Sequence, residues 1–335
     1  MRLAEWLVHL SSLRNPTVAA KEYVHSCVAF RDSIMVAHRQ GIIQFAIDGS
    51  HTRSKRRHLA LTCFDGNKKL LVLAAAEATS ENSQALALML HCAGRIAAAE
   101  GWDWNDPSIV LTSDRGAAIE VAVRSQFPDA SRMYCMQHLL RDCAKKIHRK
   151  RTAREAASVW AMQKAPTVRE FASALQAACE CLPPAAFEFL NSIAPSRWCI
   201  YSFQQRGVSL AGVRTSNAAE IFFSMAKQVG LKTMDALGFY APLSLLVVRQ
   251  HQMCLANARA YGNDFLVPHA SELYRAVQRR CASVISTRLD RTRSLLKRRV
   301  SMAPPSNTPW SFRKARALPA PAACFSRLAS PASTS

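Results

Sequence analysis

Two short apolar runs, each closed by an aspartate, constrain this chain more than any other feature. The first is IIQFAID, Ile42 to Asp48, followed by Gly49 and Ser50. The second is SIVLTSD, Ser108 to Asp114. Runs of β-branched and aromatic residues of this length, stopped by turn signals, predict buried strands. An aspartate at the end of such a strand lies at the carboxyl edge of the sheet, where open α/β sheets place their ligands. Asp48-Gly49 is also ordinary turn chemistry, and Asp114 precedes a helical stretch that it could cap. Two carboxylates delivered to one sheet edge offer oxygen ligands suited to Mg²⁺ or Mn²⁺.

The flanking pattern supplies the rest of a core. Leu59–Phe64 and Lys69–Ala76 read as two strands around Asp65-Gly66-Asn67, a hairpin signal. A long helix is predicted over Thr79–Glu100, opening at Ser80 or Asn82, with Leu86, Leu90, Ala93 and Ala97 facing the sheet. A helix after Asp114 carries Ala118, Ile119, Ala122, Val123 and Phe127 on one face. Arg132–Cys135 reads as a fifth strand running into a further helix. Three antiparallel strands followed by alternating helix and strand is the order of a ribonuclease-H-like α/β fold. The expectation is therefore a mixed five-stranded sheet with flanking helices, in which the Asp48 and Asp114 strands are neighbours. Residues 1–40 are expected to be helical, with Leu7, Leu10 and Leu13 on one face and a second helix over Thr17–His38. The core's first part spans 41–150, an all-helical insertion 151–214, and the last core helix with its successor 215–265. A basic helical segment follows over 266–300, and a Pro-, Ala- and Ser-rich tail over 301–335 has the composition of a disordered region.

Charge bears on the partner. Forty-four Lys and Arg stand against 23 Asp and Glu, a formal net charge of +21. Such an excess points to a polyanion, most simply nucleic acid. No stretch of roughly 18 apolar residues is present to span a bilayer, and the start, MRLAEWLVHLSSL, lacks the apolar core of a signal peptide. Eleven cysteines without framework spacing predict reduced thiols rather than disulfides. Candidate phosphate contacts are the turn TRSKRRH, with Arg53, Lys55, Arg56 and Arg57, together with Arg115 and Arg141. Lys297, Arg298 and Arg299 close a segment, 279–299, with eight Lys and Arg and one Asp. Each of these stretches is equally readable as a solvated charge run.

Two further motifs remain open on residues alone. Cys135-x-x-His138 has helical i, i+3 spacing, but a structural zinc site needs four ligands, and Cys179-Glu-Cys181 is a weak second pair. A packing or DNA-contact role is the expectation. In RTSNAAEIFF, Arg214 to Phe223, Asn217 and Glu220 have the spacing of an N-cap and its capping-box partner. A glutamate in that first turn could equally be a third acidic ligand, with Phe222, Phe223 and Ala226 forming the buried face.

Taken together, FAIDGSH (45–51), LTSDRG (111–116), YCMQHLLRD (134–142), SRWCIYSF (196–203) and RTSNAAEIFF (214–223) resemble the transposase domain of Mutator-like elements, over roughly residues 27 to 260. In that family the order is Asp, Asp, Cys-x-x-His, Glu. The resemblance implies a catalytic, metal-binding triad of Asp48, Asp114 and Glu220, with Cys135, His138 and Asn217 supporting it. It implies two Mg²⁺ or Mn²⁺ ions about 3.5–4 Å apart and phosphodiester cleavage followed by strand transfer. Transposon ends and target DNA would be the partners, a homo-oligomer the acting form and the nucleus the compartment. Zinc modules common in the family before and after this domain are not seen, so a truncated element is expected. Two alternatives stand beside it. One is a transposase-derived DNA-binding or transcriptional regulator without catalysis. The other is a ribonuclease-H-like nuclease, which would take its extra carboxylate from Glu81.

Overall fold

A computed structural model describes residues 6–12, 23–53, 56–80, 82–208, 210, 213–234, 236–260, 272 and 275. The strands are β1 (Trp6–Ser12), β2 (Tyr23–Phe30), β3 (Gln44–His51), β4 (Arg57–Phe64), β5 (Leu70–Ala78), β6 (Val110–Ser113) and β7 (Ser131–Tyr134). The core helices are α1 (Arg31–Arg39), α2 (Ser83–Ala99), α3 (Ala117–Gln126) and α4 (Met136–Lys146). Four helices follow in the 151–214 region: α5 (Ala153–Lys164), α6 (Val168–Cys181), α7 (Pro184–Asn191) and α8 (Ile200–Gln205). α9 (Asn217–Gln228) and α10 (Ala236–Ala260) return to the sheet. The class is α/β, with a mixed open sheet and helices on both faces.

The strands lie in the order β1-β2-β5-β4-β3-β6-β7. β3, β4 and β5 are antiparallel neighbours, while β6 runs parallel to β3, and β7 parallel to β6. The sheet is wider than the five strands expected, because the N-terminal region is not all helical. β2 pairs antiparallel with β5, and β1 with β2; among the described residues α1 is the one helix found where two were predicted. The physical reason is visible in β2. Cys27 and Ala29 pack into the core on one face of the sheet, Val28 and Phe30 into the core on the other. A strand buried on both faces loses its polar–apolar alternation, so its pattern cannot be told from a buried helix by period alone.

The same two-faced burial runs through β3, where Phe45 and Ile47 enter one core and Ala46 the other. On the first face α1, α2 and α3 cover the sheet, and Leu86, Leu90, Ala93 and Ala97 of α2 point inward as expected. Asn82 caps α2, its side chain accepting the Ala85 N–H at 2.8 Å. On the second face α9 and α10 bring Phe222, Phe223, Phe239 and Leu243. The inserted helices pack with α4 into a further core around Trp198. Glu81, Lys55 and the segments 279–299 and 301–335 lie outside the described residues, as does 261–265 of the expected last helical unit. Among the described residues no helix is long and apolar enough to cross a membrane. All nine described cysteines are free thiols, as expected.

One packing detail governs the helix that follows Asp114. Gly94 of α2 faces Phe127 at the end of α3, and a Cβ there would lie 2.7 Å from the ring's Cζ. Phe127 cannot swing away freely, because it is buried against Trp104 with ring centroids 5.9 Å apart. Gly94→Val is therefore expected to destabilise the protein by about 1–3 kcal/mol through overpacking. A lowered urea midpoint with unchanged slope would show it. An unchanged midpoint would mean that the α2–α3 contact is loose.

Candidate metal centre

Four segments converge beyond the parallel pair β3–β6. The register Gln44↔Val110, Phe45↔Leu111, Ala46↔Thr112, carried two residues on, brings Asp48 alongside Asp114. β3 does not stop at Asp48 as the Asp-Gly turn signal suggests. It continues to His51 in its hairpin with β4, with Asp48 opposite Ala60 and Gly49 opposite Leu59. Asp48 lies at the carboxyl edge only on the β6 side, because β6 ends at Ser113. Asp114 follows β6, and its Oδ1 accepts the Gly116 N–H at 2.8 Å, at the start of α3. Asp48 Oδ1 accepts the Gly49 N–H at 2.8 Å. Each carboxylate is thus held by a backbone donor one or two residues on in sequence.

The other two segments are helix starts. α4 begins after β7, with Cys135 at its N-cap position and His138 in its first turn. α9 begins at Asn217, with Glu220 in its first turn. Asn217 is not the cap predicted for it. Ser216 holds that position without a side-chain cap bond, so no capping box forms. Cys135 explains the shift. Its Sγ accepts the Ser216 N–H at 3.3 Å, and the Arg214 carbonyl accepts the Met136 N–H at 3.1 Å. These two bonds lock the entry to α9 against the entry to α4, which leaves Glu220 free of any capping duty.

The result is a cluster in which one ligand atom each from Asp48, His138 and Glu220 lies within 4.8 Å of the others. Asp114 acts on this group through its charge, which weighs on both Asp48 and His138. The cluster thus holds two of the three expected carboxylates, with His138 as its third member, while Asp114 lies outside it and acts through its charge. Burial pushes the Asp48 carboxyl up to about 6; the Gly49 N–H and the nearby His138 oppose this, while Asp114 and Glu220 add to it. His138 is held above its ordinary range, chiefly by a hydrogen bond with Cys135, against the effect of burial and with help from Asp48 and Asp114. Burial would raise the Cys135 thiol, but its bonds with His138 and Ser216 hold it below the ordinary thiol range.

This donor set fits a divalent cation. It offers carboxylate oxygens and an imidazole, ligands that hard to borderline first-row ions accept together. His138 Nδ1 is buried with no hydrogen-bond partner, and a buried polar atom of that kind calls for one. The raised Asp48 carboxyl points the same way, since a cation would favour its charged form. Zinc held by Cys135 and His138 alone would lack the four ligands of a structural site, and neither Cys179 nor Cys181 belongs to the cluster.

The candidate phosphate contacts fare unequally. Arg56 is drawn into the sheet, its Nε 2.8 Å from an oxygen of the fully buried Glu77. Arg53 and Arg141 are exposed, and Arg57 is half-buried on β4. Arg115 is exposed with its guanidinium 4.8 Å from the Phe189 ring centroid, touching the inserted helices. Sequence reasoning missed the group that fixes Asp114 from behind. Arg132 on β7 is buried, pairs with Glu120 of α3, and donates to the Asp114 carbonyl at 2.9 Å. Arg197, from the inserted region, reaches the same Glu120 at 3.0 Å. An arginine inside a predicted strand was the available signal, since buried arginines are almost always paired.

No family model matches this chain, and no curated protein matches it.

Proposed function

We propose that this protein is a DNA-cutting and DNA-joining enzyme of the Mutator-like transposase type, working through a divalent metal centre at Asp48, Asp114, His138 and Glu220. The observation that carries the reading is the meeting of Asp48, His138 and Glu220 within 4.8 Å, from three separate elements and beside Asp114. Those are the positions at which the Asp, Asp, Cys-x-x-His, Glu motifs stand. The strand order supports a ribonuclease-H-like core. From β3 to β7 the spatial order is third, second, first, fourth, fifth, with the first three antiparallel and the last two parallel to the first.

Under this reading Asp48, His138 and Glu220, with Asp114 beside them, would hold Mg²⁺ or Mn²⁺. When bound, such ions would activate a water or a DNA 3′-hydroxyl as nucleophile and stabilise the leaving oxygen of an in-line displacement. Asp48 and Asp114 are oriented by the Gly49 and Gly116 amides. Cys135 ties α4 to α9 through the Ser216 amide and acts on His138 from outside the ligand cluster. DNA is the partner, consistent with the net charge of +21, and the nucleus is the compartment this activity implies.

The test is nicking of supercoiled plasmid with Mg²⁺ or Mn²⁺, comparing the wild type with Asp114→Asn and Glu220→Gln. Metal-dependent nicking abolished by either change is the expected result. Nicking that survives Glu220→Gln but is lost in Glu81→Gln would overturn the transposase reading in favour of a nuclease. Salt-sensitive DNA binding without any nicking would leave a non-catalytic DNA-binding protein.

A further inference from the structure

A cleft of about 820 Å³ opens at the start of α9, the helix that carries Glu220, between the sheet and the inserted helices. On one wall α5 presents Ala157, Trp160, Ala161 and Lys164, spaced three and four residues apart and so on a single helix face. The opposite wall is the β4–β5 turn, with Phe64 and Lys68, and the segment Val213–Thr215 leading into α9. Lys68, Lys164 and Arg214 are its charged lining residues, and none of the described lining residues is acidic. Trp160 is half-buried with the Lys164 ammonium 5.5 Å from its ring centroid. Arg214 Nε is buried without a hydrogen-bond partner, although its own carbonyl is tied to the start of α4. The same segment carries Ser216, which touches Cys135 beneath the metal cluster.

We propose that this cleft receives a single-stranded stretch of the DNA on which the metal centre acts, with a base stacked on Trp160 and phosphates held by Lys68, Lys164 and Arg214. An aromatic face among cations, with no carboxylate to repel a phosphate, is the chemistry that binds single strands without regard to sequence. A duplex presents its bases edge-on and stacked, so it cannot use the Trp160 ring. Arg214 gains the acceptor that its buried Nε lacks. The segment from Arg214 to Glu220 then joins the strand-binding wall to the metal cluster within two helical turns. This inference rests on the proposed activity only in naming the strand as substrate.

The experiment measures binding of a fluorescein-labelled oligodeoxythymidylate of about ten nucleotides to the full chain in EDTA, so that metal chemistry plays no part. Trp160→Ala is expected to weaken binding about tenfold, and Trp160→Phe to restore most of it. Lys164→Gln, an exposed change, is expected to lower the slope of log affinity against log salt by about 0.7. Because the chain is strongly basic elsewhere, the site is mapped by photocrosslinking an oligonucleotide carrying 5-iododeoxyuridine. A crosslink on the α5 peptide containing Trp160 supports the cleft. Crosslinks confined to 279–299, or affinity and salt slope indifferent to both Trp160→Ala and Lys164→Gln, would overturn it. Metal-dependent nicking with such a negative binding result would remove the cleft and leave the proposed activity standing. A positive binding result without nicking would do the reverse.

Discussion

In EDTA at neutral pH, Asp48→Asn should be more stable than the wild type, yet it should no longer be stabilised by Mn²⁺. Burial is the chief reason the wild-type carboxyl is pushed up from an ordinary 3.8 to about 6. The sign follows from the direction. A raised folded-state pKa means that the folded protein holds the proton more tightly than the unfolded chain. That stabilisation is complete below about pH 4 and is lost as pH rises through about 6. Above pH 7 the charged carboxylate therefore costs on the order of 2–3 kcal/mol. Asparagine keeps an oxygen to accept the Gly49 N–H and carries no charge, so it removes most of that penalty. It gives up the attraction to His138, which offsets part of the gain.

Metal reverses the comparison. An ion bound only by the folded state adds about 2.7 kcal/mol at a hundredfold excess over its dissociation constant. Protons compete for the same groups, because both Asp48 and His138 hold theirs more tightly than usual. Mn²⁺ affinity should accordingly rise with pH through about 6 and beyond. Thermal unfolding with EDTA and with Mn²⁺ reads both effects. An Asp48→Asn protein less stable than wild type in EDTA would mean that the Asp48 charge is already compensated within the protein. Equal Mn²⁺ shifts in the two proteins would place the ion elsewhere.

How much of this was legible in the sequence depends on which face of the sheet a residue serves. The two aspartates stood out because each closes an apolar run just past the parallel pairing of β3 with β6. Their adjacency follows from the β3–β6 register. His138 was read with Cys135 as a helical pair short of zinc ligands. Cys135 in fact precedes α4 while His138 lies within its first turn. The useful signal was position: His138 comes four residues after the end of β7, at the same sheet edge as the aspartates. The strands β1 and β2 were not legible, since a leucine spacing of three and burial on both faces imitate a helix. Arg56 looked like a surface cation in a basic turn. Only tertiary structure reveals that Glu77, at the end of the apolar run of β5, needs it.

Glu120→Ala should be the most damaging single change outside the cluster, lowering stability by about 3–5 kcal/mol. Glu120 is the acidic partner of Arg132, whose side chain is only 2% exposed, and it also receives Arg197 and Arg124. Burial alone would raise the Glu120 carboxyl; Arg132 and Arg197 overcome this and hold it below the ordinary glutamate range. Its contribution is therefore present at neutral pH and is lost as pH falls below that range. Alanine leaves the Arg132 guanidinium buried with neutral partners only, the Ser113 hydroxyl and the Asp114 and Gly116 carbonyls. An uncompensated buried charge is what makes breaking such a pair expensive. If that is the cause, Arg132→Met added to Glu120→Ala should recover part of the loss, because the double variant buries no charge. It should not recover Mn²⁺ affinity, because Arg132 also fixes the Asp114 backbone from behind. Urea unfolding of the two single variants and the double variant, with Mn²⁺ titrations on each, separates the two roles. A double variant less stable than either single one would show that the pair matters through packing rather than charge.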